Sequence, residues 1–97
     1  MAKRQSVNGV KSRHENPTPN ASRVGPLVMS SVIAGRDPRT QGMPDSLEDQ
    51  LGNCLAYIRS DIEAAGGSID DIVKITFWLS DPATQRPALN TEWLRMF

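Results

Sequence analysis

An α+β fold, with a mixed β-sheet and two helices packed on one face, is what this 97-residue sequence predicts. Three observations lead there. A 19-residue stretch repeats apolar residues at helical spacing, a second stretch alternates apolar and polar residues, and the chain closes on another helical pattern. A chain of this length forms a single domain with a small core.

The apolar run in "GPLVMSSVIAG" comprises Leu27, Val28, Met29, Val32 and Ile33. Its length, its β-branched content and the flanking Gly25–Pro26 and Gly35 predict a buried strand. Asp37–Pro38, Gly42 and Pro44 mark the next segment as a surface loop. The long helix follows. Leu47, Leu51, Cys54, Leu55, Ile58, Ile62 and Ala65 trace one stripe of it. Asp45 or Ser46 can cap its start, with Glu48 or Asp49 three residues on, and Gly66–Gly67 can supply the left-handed residue that ends it. In "SIDDIVKITFWLSD", Val73, Ile75, Phe77 and Leu79 alternate with Lys74, Thr76, Trp78 and Ser80, the pattern of a strand with one buried face. Asp81–Pro82 starts a turn or a helix. Pro87 suits the first turn of a final helix whose apolar face is Leu89, Trp93, Met96 and Phe97.

Residues 1–23 show neither period and hold Pro17, Pro19 and Asn20. They are expected to form a flexible basic arm, with the folded domain spanning 24–97 and one further strand available from the arm. Charge is asymmetric. Residues 1–44 carry seven Lys/Arg against two acids, and residues 45–97 carry four against nine, so +5 is balanced by −5. A basic front half is one feature of a nucleic-acid binder, but a solvated tail with loop arginines accounts for it equally simply. Cys54 is the only cysteine, so no intramolecular disulfide forms. No run reaches the roughly twenty apolar residues of a membrane helix, and no signal peptide follows Lys3–Arg4. A soluble, cytoplasmic protein with no membrane contact is expected.

Chemistry-bearing motifs are scarce. His14 stands alone and Cys54 lies on the helix stripe, so neither zinc spacing nor a Cys–His pair is present, and no metal or cofactor is expected. "GRDPRTQG" lacks the Lys-Ser/Thr of a phosphate loop. Ser30–Ser31 has no nucleophile-elbow glycines around it. Asp70–Asp71 fits a turn better than an acid/base pair. Trp93 fits the core, and Trp78, on the opposite face of its strand, suits a subunit interface.

Taken together, "LVMSSVIAGRDPRTQGMP", "EDQLGNCLAYIRSDIEAAGGSIDDIVKITFWLSD" and "LNTEWLRMF" resemble the Rid family, the YjgF-type proteins also called L-PSP endoribonucleases. The matching residues are Ser31, Pro38, Thr40, Gln50, Ala64–Ala65–Gly66, Asp71–Ile72–Val73–Lys74, Asp81, Asn90, Trp93 and Phe97. The resemblance covers about residues 24–97. It implies a chorismate-mutase-like fold and a trimeric, barrel-like assembly with clefts between subunits. It also implies water-mediated hydrolysis of enamines or imines made from amino acids, the substrate's carboxylate being gripped by an arginine. In the family that arginine sits in a P-A-R segment on a strand after the second helix, and a glutamate farther on positions water. Both would lie beyond Phe97, so the resemblance implies a sequence cut short, and a chain ending at Phe97 is expected not to deaminate.

The residues that carry over are Ser31 and Val32 on the cleft wall and Asn90 on the second helix, each with a structural alternative. Ser31 fits a polar strand end, and Asn90 a helix-to-loop hydrogen bonder. Val32–Ile33 replace the family's Gly-Gln, and a valine keeps a ligand from approaching the backbone as glycine allows. Arg23, His14 or Asn20 could fill the space of an aromatic residue that the family often offers from its N-terminal segment. Two other readings stand beside the hydrolase: a trimeric ligand- or protein-binding module without turnover, and an RNA-binding or RNA-cleaving protein. For the last, the chain lacks a histidine or lysine constellation, so nucleic acid is not the expected partner. The expected partners are a small-molecule carboxylate and two further copies of the chain.

Overall fold

The computed structural model describes residues 3–9 and 17–97. Its sheet has three antiparallel strands in the order β1 (Gln5–Val7), β2 (Ala21–Val24) and β3 (Leu27–Ser30). After a long loop come α1 (Leu47–Ala64), a 3₁₀ turn (Ile69–Asp71) and α2 (Pro82–Met96). The α+β class is as expected. The sheet itself is antiparallel throughout its described strands rather than mixed.

Two strands come from the segment read as an arm. Short elements of three and four residues, broken by Pro17 and Pro19, leave no visible period, yet Val7 pairs with Ala21 and both are buried. Register then sets the faces. Val7, Ala21 and Val28 turn toward Ala65 of α1 and form a small core. Ser22, Val24, Leu27 and Met29 share the opposite face, where Leu27 and Met29 are largely exposed. The apolar run was expected to form a buried strand. Only Val28 packs inward, because α1 covers one side of the sheet alone.

The helix α1 begins where its cap was read. Ser46 Oγ accepts from Asp49 N at 3.1 Å. Its other end is a Schellman closure: Gly67 N donates to Ile62 O and Gly66 N to Glu63 O, with Gly66 at φ +89°. The Arg23 guanidinium adds a 2.6 Å bond to Ala65 O, a cation at the negative end of the helix dipole. A Cβ at Gly66 meets open space with Arg23 as its nearest neighbour, so the strain of Gly66→Ala is in the backbone alone. That variant is expected to lose about 1–2 kcal/mol, visible as a lower thermal midpoint. An unchanged midpoint would show that the closure adapts.

Leu51, Leu55 and Ala65 of the stripe are buried, while Leu47, Cys54, Ile58 and Ile62 are half-buried. Tyr57 and Asp61 join the interior unpredicted. The helix α2 starts at Pro82, so Pro87 lies inside it rather than in its first turn. It packs on α1. Trp93 stacks between Phe77 and Phe97, at ring-centroid distances of 6.3 and 4.3 Å.

The largest departure is the stretch Val73–Leu79. Its burial alternation is present at Ile75, Phe77 and Leu79, all half-buried, against exposed Lys74, Thr76 and Trp78. No strand partners it among the described residues, and Val73 is 99% exposed. The period-2 pattern was read correctly, but a strand also needs a neighbour, and β3 does not pair with it.

Candidate functional site

The expected cleft residues begin where β3 ends. Ser31 N donates to Asn20 O, and Ser31 Oγ donates to Pro19 O at 2.8 Å. Its hydroxyl proton is thus committed to the backbone, and the oxygen's lone pairs stay free to accept from a ligand. Asn20 is itself held. Its N–H bonds Asn8 Oδ1, and its side-chain amide reaches Asp61 Oδ1 at 3.4 Å. Asp61 Oδ1 also accepts from Gly9 N at 2.9 Å. One buried carboxylate on α1 therefore positions the strand ends that position Ser31.

Beyond Ser31 the chain runs along α1 as a stapled ribbon. Cys54 Sγ lies 3.7 Å from Ile33 O, Asn53 Nδ2 donates to Gly35 O, and Tyr57 Oη donates to Arg36 O at 2.8 Å. Gly35 is required here: a Cβ would collide with the carbonyl of Gln50. With the ribbon pinned on its helix side, Val32 projects outward and is 87% exposed. The following loop is held by Asp37, whose Oδ1 accepts from Arg39 N and Thr40 N. The Arg39 N–H foremost, then that of Thr40, holds the Asp37 carboxyl below its ordinary pKa.

Asn90 lies exposed on α2 and its side chain makes no hydrogen bond among the described residues, so it bridges no helix to a loop there. Ser31 and Val32, at the sheet end, and Asn90, on α2, are joined by no hydrogen bond. Of the residues considered for the N-terminal side of the cleft, Arg23 closes α1 and Asn20 binds Asp61. His14 lies outside the described residues.

Burial pushes the Cys54 thiol above its ordinary pKa, which keeps it protonated and a poor nucleophile at neutral pH. Four arginines are engaged: Arg23 with Ala65 and Gly25, Arg36 with Gln41, Arg59 with Glu63 and Arg95 with Glu92. Among the described residues no group of three His, Cys, Asp or Glu side chains could hold a metal ion. No described helix is long and apolar enough to cross a membrane.

A groove of about 380 Å³ between α1 and α2 was not anticipated. It is lined by Glu48, Asp49, Asn53, Thr91, Glu92 and Arg95, among others. Glu92 is buried and pairs with Arg95 at 2.9 Å. The i,i+3 spacing of opposite charges was the available signal. For Asp61 the signal was its place seven residues after Cys54 and three after Ile58, on the flank of the apolar stripe.

No protein-family model matches the chain, and no curated protein does. Solved structures do. RidA from the Antarctic bacterium Psychrobacter sp. is 28% identical, with a TM-score of 0.86 over 96% of this chain and 76% of that one. The Escherichia coli protein TdcF, solved with bound serine, is 22% identical with a TM-score of 0.87, over 96% and 73%. The E. coli YjgF gene product is 21% identical with a TM-score of 0.87, over the same shares. The chain thus spans about three quarters of the length of these proteins.

Proposed function

We propose that this chain, which belongs to the Rid/YjgF family, lines a site that binds a small amino-acid-derived carboxylate, and that the enamine or imine it carries is hydrolysed there when the family's carboxylate-gripping arginine and water-positioning glutamate complete that site. The observation that supports this reading best is the fixed hydroxyl of Ser31. It donates to Pro19 O, while the Ser31 N–H donates to Asn20 O, at the end of the sheet, the position expected for the cleft wall. Such a reaction needs a held carboxylate, one oriented water and stabilisation of developing charge, all of which are matters of placement. It requires no nucleophile from Ser31 or Cys54. The serine bound to TdcF is a small amino acid of the size such a cleft would take.

The cleft forms between copies in a homotrimer. The exposed sheet face with Val24, Leu27 and Met29, and the neighbouring Val32, supply apolar surface for that contact. Asn90 approaches the ligand from α2. The carboxylate's guanidinium is not one of the four arginines already engaged within the chain. That feature, with exposed Val32 in place of a glycine, also favours a second reading: a module that binds the carboxylate without turning it over.

Ammonia release from a freshly generated amino-acid enamine separates the two. The hydrolase reading expects release faster than in buffer, slowed roughly tenfold in Ser31→Ala by loss of one ligand contact. Saturable binding of serine without faster release would leave the binding module. Neither release nor binding would remove both.

A further inference from the structure

We propose that Asn8–Gly9 is a deamidation site that the folded chain holds closed, and that isoaspartate formed there detaches the end of β1 from α1. Asn8 is the one asparagine of the sequence that precedes a glycine. That pairing favours the reaction, because glycine has no Cβ to hinder its nitrogen from closing on the Asn8 Cγ. The glycine is also obligatory. A Cβ at Gly9 would collide with Ser60 Oγ and Asp61 Oδ1, so the close approach to α1 excludes every other residue. Asn8 itself is exposed to water. In the reaction the Gly9 nitrogen loses its proton and bonds to Asn8 Cγ, and the side-chain nitrogen leaves as ammonia. Water then opens the resulting cyclic imide at either carbonyl. Opening at Cγ gives ordinary aspartate. Opening at the Asn8 backbone carbonyl gives isoaspartate, whose main chain runs through the side chain and is longer by a methylene.

Two hydrogen bonds oppose ring closure in the folded chain. The Gly9 N–H donates to buried Asp61 Oδ1 at 2.9 Å, and Asn8 Oδ1 accepts from Asn20 N at 3.1 Å. A carboxylate is far too weak a base to take an amide proton, and its negative charge disfavours the amidate that must attack. The second bond restrains the side-chain rotation that ring closure uses. Ordinary aspartate can keep both bonds, since a carboxylate oxygen accepts from Asn20 N as the amide oxygen does. Isoaspartate cannot. Its added methylene displaces Gly9 from the tight seat against Ser60 and Asp61 that only a residue without a Cβ can occupy. Asp61 Oδ1 also holds the Asn20 side-chain amide at 3.4 Å, and Asn20 O accepts the Ser31 N–H. The damage therefore passes to Ser31, whatever ligand that residue meets.

Ageing the full chain at mildly alkaline pH and mapping its peptides by mass tests the first part. Asn8 is expected to convert more slowly, on the order of tenfold, in the native chain than in the same chain unfolded in urea, because conversion waits on local opening. Asp61→Asn, which keeps an acceptor but removes the charge, is expected to raise the native rate several-fold. Ser60→Ala alters the same turn of α1 but neither bond, and the Ser60 hydroxyl is buried without a partner to lose. It is expected to leave the rate unchanged. Hydrogen exchange reads the second part. The acidic fraction of aged chain is separated by ion exchange and shown to carry isoaspartate by an isoaspartate-specific methyltransferase. It is expected to exchange faster at β1 and Ser31 than Asn8→Asp, which carries the same charge without the added methylene. Equal rates in native and unfolded chain, equal effects of Asp61→Asn and Ser60→Ala, or exchange in the aged fraction matching Asn8→Asp would overturn the proposal.

Discussion

Leu55→Ala is expected to lower the unfolding free energy by about 2–5 kcal/mol. Leu55 is only 3% exposed, on the helix stripe beside Leu51 and a turn before Ile58. Truncation removes its apolar contacts and leaves a void that its neighbours close only in part. The loss weighs heavily here because the interior is thin. Among the described residues no large side chain is completely enclosed, and the sheet-side cluster consists of Val7, Ala21 and Ala65 with Val28 alongside. Domains retain only about 5–15 kcal/mol in total, so this one substitution is expected to leave a substantial unfolded fraction. Urea unfolding followed by circular dichroism measures it. A loss below about 1 kcal/mol would mean that the α1 stripe is not the structural spine.

The second large effect is expected from Asp61→Ala, at about 2–4 kcal/mol. The Asp61 side chain accepts from the buried Gly9 N–H and from the Asn20 amide, linking α1 to residues 52 and 41 positions earlier in sequence. Alanine cannot accept either proton. A buried N–H left without a partner costs far more than the net worth of the bond it made. Asp61→Asn keeps one carbonyl oxygen and is expected to lose less. The damage has a direction: hydrogen exchange should accelerate first in β1 and at Ser31, whose N–H donates to Asn20 O and whose hydroxyl donates to Pro19 O. Uniform acceleration across α1 and α2 would instead mark Asp61 as a general packing residue.

The same network explains what could be read in advance. The α1 helix was legible from Leu47 to Gly66, because period, cap and closing glycine are all local. Ser31 was placed at the sheet end by resemblance. Its hydroxyl partner could not be read, because Pro19 lies in a stretch without period. The Trp93 contacts with Phe77 and Phe97 depend on how α2 lies over the extended segment, and spacing along α2 only hinted at them.

What the sequence determined by itself was therefore the class of each periodic stretch: a capped amphipathic helix, an alternating segment and a closing helix, with Gly66 where φ must be positive. Only the tertiary structure decided which stretches pair. Gln5–Val7 and Ala21–Val24 became strands because Val7 pairs with Ala21 and both pack, with Val28, against Ala65 at the end of α1. Val73–Leu79, with the clearer strand pattern, pairs with no strand among the described residues. The physical reason is that a helix satisfies its backbone within itself, whereas a strand's hydrogen bonds belong to whichever segment arrives beside it.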